Sequence, residues 1–351
     1  MKKREMNFEL LRIVAMCMII GLHYLDKGGV LGDFTQKQGV KGYLPWIFEA
    51  FFFCAVNVYV LITGYFLVEK EIQIKKVFPL WGQVLFYSLL LGIVAIGTGI
   101  VAVGELNIYR LIYYLFPVVT EHYWFVTDYI LLYILLPFIN PVLVKMEKKQ
   151  MQKLLLLLVA VLCISKTILP FSLAIDKKGY DVLWFLCLYL TGAYCKRFGF
   201  SYLSTKGKGI GLYVAASCGT FLCAYVCKLI FVKTGHLEDI VTYSYSYNHL
   251  FSYLAAIGLF AFFSKVRIKP ESVQKIIGNF AGAAFGVYLL HEHMDFRYVW
   301  QQWLRVDKQA ESIWFPVWMF ASIVVVFVVC ATVELIRQKV LEKVLKVAGR
   351  K

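Results

Sequence analysis

The sequence predicts an all-α polytopic membrane protein with about ten transmembrane helices, on three observations. Sixty per cent of the 351 residues are hydrophobic and only 17% are charged, with a mean hydropathy of +0.68, and charge that scarce cannot cover a water-facing surface. Apolar runs recur along the whole chain at lengths that match a bilayer core of about 30 Å. The basic residues gather in the segments between those runs, predominantly on alternate ones. That placement makes the net charge of +15 a signal of membrane orientation and removes nucleic acid as a partner.

The ten runs are 8–25, 44–67, 77–103, 123–144, 152–170, 181–197, 209–232, 250–264, 276–293 and 313–336, and together they read as one membrane domain over 1–351. The first run and its flanks, NFELLRIVAMCMIIGLHYLD, are apolar except for Glu9, Arg12 and His23. Arg12 and His23 are eleven residues apart, which returns a helix to nearly the same face about 16 Å further along. Glu9 lies three residues before Arg12, within pairing reach. Ionisable side chains inside such a run are functional candidates, although Arg12 alone can snorkel and His23 alone can serve as an interfacial histidine. Met1-Lys2-Lys3-Arg4 before an apolar run resembles the start of a signal peptide. Arg12 inside the run and the lack of a small-x-small cleavage site point instead to a retained first span.

The second run carries Asn57 and Thr63. The stretch 108–119 is too short to cross and reads as re-entrant or interfacial, and the Gly-rich 92–104 is the one candidate break. His122, Trp124 and Asp128 open the fourth run. Lys166 and Lys228 lie late in the fifth and seventh runs, where snorkelling is expected. In the ninth run Gly278, Gly282 and Gly286 are four residues apart, a bare face expected to pack closely on a neighbour. Tyr288, His291, Glu292 and His293 come after it. Trp46, Trp300, Trp303, Tyr243, Tyr245 and Tyr247 fit an interfacial aromatic belt. The nine cysteines fall in or beside the runs without a metal-ligand spacing to histidine, so they read as packing residues and no metal site is expected.

With ten spans, the alternate segments that include the N-terminus, counted with the span-end residues Lys153, Lys196 and Arg197, hold 24 Lys and Arg and the opposite set holds 10, which places both termini in the cytoplasm. His23, His122, His291 and His293 then collect at the outer level near Asp128 and Glu292, and imidazoles beside carboxylates suit general acid-base chemistry. On the inner side Lys75, Lys76, Lys196 and Arg197, with Arg12 above them, form a basic mouth able to hold the phosphates of an anionic donor. The positive-inside bias predicts the same residues without a ligand.

These residues resemble a known family, the integral-membrane acyltransferase 3 family of bacteria. Its first-helix signature is an arginine, ten residues and a histidine, with an acid three residues before the arginine, and Glu9, Arg12 and His23 match it. The run from Asn57 to Phe66 is similar to the family's apolar run ending in Ser-Gly-Phe or Ser-Gly-Tyr, with Thr63 in place of the serine. His122-Tyr123-Trp124 with Tyr133 and Pro137 resembles its His-x-Trp, Tyr and Pro spacing, and Gly286 to His291 its Gly-x-Tyr-x-x-His ending. Asp128-Tyr129 stands where one branch has a glutamate pair, so the chain looks closer to the shorter, domain-free branch.

The resemblance implies an O-acyltransferase, usually an O-acetyltransferase, of the bacterial cytoplasmic membrane, with acetyl-CoA or another acyl-CoA as donor and no tightly bound cofactor. The acceptor would be a hydroxyl of a cell-surface glycan or a lipid-linked molecule, and a separate extracytoplasmic protein is a possible partner. His23 would act as general base or acyl carrier, with Arg12 holding the donor or fixing the helix through Glu9. Asn57, Thr63 and Trp124 would line the passage, together with His122, Asp128, Tyr288 and Glu292, and His291 would be a second acid-base group. The rival classes make different demands. A transporter or flippase expects inverted repeats or helices broken at the midplane, and a sensor or partner subunit expects that the polar residues of the first, fourth and ninth runs do not meet.

Overall fold

A chain in hydrocarbon has to satisfy its backbone N–H and C=O groups internally, and each of the ten apolar runs contains a helix. The computed structural model describes residues 4–120, 122–169, 177–347 and 349. Met1, Lys2 and Lys3 of the basic N-terminus and Pro170 at the end of the fifth run lie outside them. The elements are α1 (Met6–Leu25), α2 (Gly39–Phe52), α3 (Ala55–Leu67), α4 (Val77–Gly97), α5 (Ile108–Leu115), α6 (Trp124–Lys145) and α7 (Lys148–Val159), which continues through a π-helical turn at Ala160–Ile164 into α8 (Ser165–Ile168). After them come α9 (Val182–Phe198), α10 (Lys206–Thr234), α11 (Leu250–Ser264), α12 (Glu271–His291), α13 (Trp300–Trp303), α14 (Val306–Glu311) and α15 (Phe315–Val347).

Among the described residues eight helical stretches are long and apolar enough to cross a membrane. The sixth and eighth runs form the shorter α9, of 17 residues, and α11, of 15. The chain is a multi-pass membrane protein. Local chemistry sets several helix starts: the side chains of Asn107, Asp181 and Thr205 each accept a bond from a backbone N–H three residues on, the usual N-cap arrangement.

The run 44–67 is two helices, not one. The ladder breaks at Phe53–Cys54 between α2 and α3, and the Phe51 carbonyl near the break accepts a bond from the Tyr213 hydroxyl at 2.9 Å. Neighbouring side chains that satisfy freed backbone groups make such breaks tolerable in a membrane helix. The Gly-rich stretch 92–104 holds the end of α4 at Gly97, after which the chain turns and passes through a 3₁₀ turn at Val103–Glu105. The short piece after it is α5, of eight residues.

The chain divides into two compact units. In the unit formed by Met1–Val30, Gly82–Tyr123 and Arg267–Lys351, α1 packs against α12 and α15, which also pack on each other. The ninth-run glycines behave differently from one another there. A Cβ at Gly286 would collide with the Glu334 side chain of α15, whereas one at Gly278 or Gly282 would meet nothing within 4 Å. Glu334 fills the bare face at Gly286, and Gln338 of α15 donates to the Gly282 carbonyl at 3.2 Å.

In the unit formed by Leu31–Trp81 and Trp124–Val266, α3 lies along α9 and α10 along α11. At the first crossing the helices touch backbone to backbone. A Cβ at Gly64 would overlap the Tyr189 carbonyl oxygen, and one at Gly192 the Leu61 carbonyl oxygen. Lys166 and Lys228 are buried rather than snorkelled. The Lys228 ammonium is held by the Lys37 carbonyl and by the Tyr43 hydroxyl at 2.7 Å, and that of Lys166 lies 4.6 Å from the Tyr243 ring centroid. Trp46 and Tyr247 are buried in the protein, with the Trp46 indole donating to the Leu31 carbonyl. In the other unit Trp300 is likewise buried, while Trp303 is exposed.

Candidate active site

α1 is unbroken from Met6 to Leu25, so Glu9, Arg12 and His23 keep the spacing read from the sequence. Arg12 Nη1 donates to Glu9 Oε1 at 2.7 Å. His23 lies in the last turn of α1, and His291 is the last residue of α12. Helix ends leave carbonyls without intrahelical partners, and here side chains from α13 supply them. Gln301 donates to the His23 carbonyl at 3.2 Å, and the Trp300 indole donates to that of His291 at 3.2 Å. Both histidines are thereby held on their backbones.

Between the two rings His23 Nδ1 stands 3.0 Å from His291 Nε2, and the same nitrogen is 3.2 Å from Glu292 Oε2. His291 Nδ1 lies 2.6 Å from the Val287 carbonyl. A carbonyl only accepts, so His291 Nδ1 carries a proton, and in the neutral ring Nε2 is then the acceptor. The bonding network therefore assigns the donor role to His23 Nδ1. That leaves Nε2 as the basic nitrogen of His23. The His23 side chain keeps 17% of its surface exposed against 4% for Glu292, so within this trio the histidine is the more accessible group. The Tyr288 ring packs edge-on to His291 at 6.2 Å.

Glu292 is a hub of charge. It is ion-paired with Lys27 and lies 3.6 Å from Arg297 Nη1. Burial depresses the Lys27 ammonium below its usual range, and Glu292 opposes that shift. The carboxylate thus faces one imidazole and two cations.

A second cluster in the same unit holds His122. Its Nε2 accepts from the Met294 N–H at 3.0 Å, and its Nδ1 lies 3.5 Å from the Tyr113 carbonyl. Burial, then the neighbouring His293 and Arg297, push the His122 imidazole down to about 3. His293 spans the Ser88 carbonyl, 3.1 Å from its Nε2, and the Asp295 N–H, 3.3 Å from its Nδ1. Burial lowers His293 to about 4, against the opposing pull of Asp295. Both rings stay neutral near pH 7 with both nitrogens occupied.

The remaining candidates lie in the other unit. Asn57 is buried, donates to the Tyr247 carbonyl at 2.8 Å and accepts from the Trp184 indole at 3.0 Å. Thr63 donates to the Tyr59 carbonyl one turn back. Trp124 is half-buried, 4.4 Å from the Tyr180 ring, and Asp128 is half-buried. Lys75 and Lys76 are exposed in a 3₁₀ turn. The Lys196 ammonium lies 4.6 Å from the Tyr65 ring centroid, and Arg197 donates to the Leu143 and Met146 carbonyls at the end of α6.

Sequence reasoning missed Lys27, Arg110, Tyr114, Asp295 and Arg297 around the histidines, and Glu334. Glu334 is buried in α15, receives the Tyr87 hydroxyl at 2.6 Å and pairs with Arg337 at 2.7 Å. Two signals were present: an acid inside the last apolar run three residues before an arginine, and the charged stretch His291-Glu292-His293-Met294-Asp295-Phe296-Arg297 directly after the ninth.

The polar residues of the first and ninth runs therefore meet, which a sensor without chemistry does not require. No curated protein and no solved structure matches the chain. The family profile described as "Acyltransferase domain" matches residues 7–334, nearly the whole chain, and the chain belongs to that family, the acyltransferase 3 family: it is a membrane acyltransferase.

Proposed function

We propose that the enzyme moves an acyl group, acetyl in the simplest case, from cytoplasmic acyl-CoA to a hydroxyl of a cell-surface glycan or related acceptor, at a site centred on His23. The observation that carries this reading is the bonding of His23 Nδ1 to His291 Nε2 and Glu292, which leaves Nε2 as the reactive nitrogen. An oriented imidazole backed by a carboxylate is the arrangement that serves acyl transfer on unrelated folds. As general base, Nε2 takes the acceptor's hydroxyl proton while the oxygen attacks the thioester carbonyl. The C–S bond then breaks, and the proton goes to the departing thiolate. As acyl carrier, Nε2 attacks the thioester carbonyl and the C–S bond breaks with departure of CoA thiolate. The acceptor oxygen then attacks the acyl carbon, the N–C bond breaks, and the hydroxyl proton leaves to the thiolate or to water. In either case Glu292 stabilises the imidazolium, and His291 acts by fixing the His23 tautomer.

Donor binding falls in this reading to Arg12, positioned by Glu9. Arg197 and Lys196 shape the end of α6 and the neighbourhood of Tyr65. In this reading both termini lie in the cytoplasm and the membrane is the bacterial cytoplasmic membrane, as the excess of Lys and Arg on alternate segments supports. The break between α2 and α3 is the kind of feature a transporter would show, but its carbonyl is met by Tyr213 and asks for no bound substrate.

The test is release of free CoA from acetyl-CoA by the protein in lipid nanodiscs, wild type beside His23→Ala, with and without crude cell-envelope glycan. Turnover that needs the envelope fraction and vanishes in the variant supports the reading. Absence of acetyl-CoA binding and turnover removes the donor assignment, and substrate uptake by proteoliposomes becomes the assay.

A further inference from the structure

Glu292 is the first residue beyond the helical part of α12, with φ −101° and ψ 6°. The helical ladder ends there, so the place of its carboxylate depends on the contacts that hold 293–297. Asp295, whose side chain is fully buried, accepts from Arg110 Nη2 at 2.7 Å and from the Tyr114 hydroxyl at 2.7 Å. Arg110 Nε also reaches the Tyr114 hydroxyl at 3.1 Å, which closes the three side chains into a ring of bonds. Arg110 and Tyr114 are four residues apart on α5, so one helix face presents both. On either side of Asp295 the segment is tied again, through His293 to Ser88 and through Met294 and Arg297 to His122.

We propose that Arg110, Tyr114 and Asp295 are positioning residues for acyl transfer, forming a clamp that holds the segment after α12 so that Glu292 stays on His23. The proposal rests on the reading of His23 as the reacting base or carrier. A buried ion pair adds little net stability, because desolvation offsets the attraction, but it fixes geometry closely. This one lies three residues from the carboxylate that orients His23. Small misplacements of a reacting group cost on the order of 10²-fold in rate, so a clamp on that segment has a kinetic consequence.

The test compares Asp295→Asn, Tyr114→Phe, Glu292→Gln and the double variant Asp295→Asn with Glu292→Gln, all in nanodiscs with thermal melting recorded. The clamp predicts that Asp295→Asn lowers kcat about 10- to 100-fold with KM for acetyl-CoA unchanged, and that Tyr114→Phe does the same more weakly. It also predicts that the double variant is no slower than Glu292→Gln alone. Multiplying losses in the double variant, or an unchanged kcat per folded molecule in the single ones, would overturn it. Should Asp295→Asn fail to fold, Tyr114→Phe carries the comparison. The ¹⁵N-detected titration of His23 separates this proposal from the reaction assignment. If the wild type shows no acyl transfer, the reaction reading fails, while a His23 titration moved by Asp295→Asn in the same sense as by Glu292→Gln still supports the clamp. An unmoved titration would sink it.

Discussion

In the unit that carries α1, α12 and α15, the interior is joined by opposite charges: Glu292 with Lys27, Asp295 with Arg110, and Glu334 with Arg337. In the unit that carries α3 and α9, helices meet backbone to backbone at Gly64 and Gly192, and deep polar groups are held by amides, as where the Tyr189 hydroxyl donates to Asn140 at 2.6 Å. Close backbone contact gives rigidity without a reactive group, because a glycine face offers only dispersion and packing. Charge clusters offer the reverse. They add little net stability, but they orient a titratable nitrogen and leave its other side available for chemistry. The acyltransferase has both kinds of interior, and variants in each are expected to fail differently.

The largest effect is expected at His23. His23→Ala should lower acyl transfer by about 10² to 10⁴-fold with melting unchanged, measured as CoA release; retained turnover would break the division between the units. Glu292→Gln should come next at on the order of 10²-fold, with the acid limb of the rate profile displaced as well. Packing variants should invert the pattern. Gly64→Val or Gly192→Val forces side-chain atoms into a facing carbonyl and should cost about 1 to 3 kcal/mol, read as a lower melting midpoint with the rate per folded molecule preserved. A slower folded enzyme instead would mean that this crossing also serves the reaction.

A weaker effect concerns acid. His122 and His293 are held neutral, near 3 and 4 against an ordinary 6.5, so the unfolded chain binds more protons than the folded one between those values. Stability is therefore full above about 6.5 and falls as pH drops toward 4. The melting midpoint should decline between pH 7 and pH 5, and more shallowly in His122→Asn. A flat profile would remove these two rings from the account. The smallest effect is expected at Gly278, where added atoms meet nothing within 4 Å. Gly278→Ala should raise stability by about 0.5 to 1 kcal/mol, and a loss would show that the position has a partner outside this chain.

The helices were legible in the sequence because apolar runs of that length have few other solutions in lipid. The Glu9–Arg12 pair was legible for a local reason, since helical geometry alone brings residues three apart together. His23 stood out as the one imidazole inside an apolar run that the helix period returns to the Arg12 face. The histidines His122 and His291 were visible as a level, but their roles were not. One occupies both nitrogens on backbone groups and the other fixes a tautomer, and that distinction depends on distances of a few tenths of an ångström.

By itself the sequence determined the class of fold, the membrane and the first helix with its pair and its histidine, because all of these arise from composition and from spacing along one helix. Only the tertiary structure decided that Glu292 is an acid on His23, that Arg197 and Asn57 hold backbone and neighbouring side chains, and that a Cβ has no room at Gly64 and Gly192 but meets nothing within 4 Å at Gly278 and Gly282. These depend on which helix faces which. Periodicity tells which side of a helix is polar or bare, but the partner of that side lies as far as 268 residues away for His23 and His291, and no local spacing encodes it.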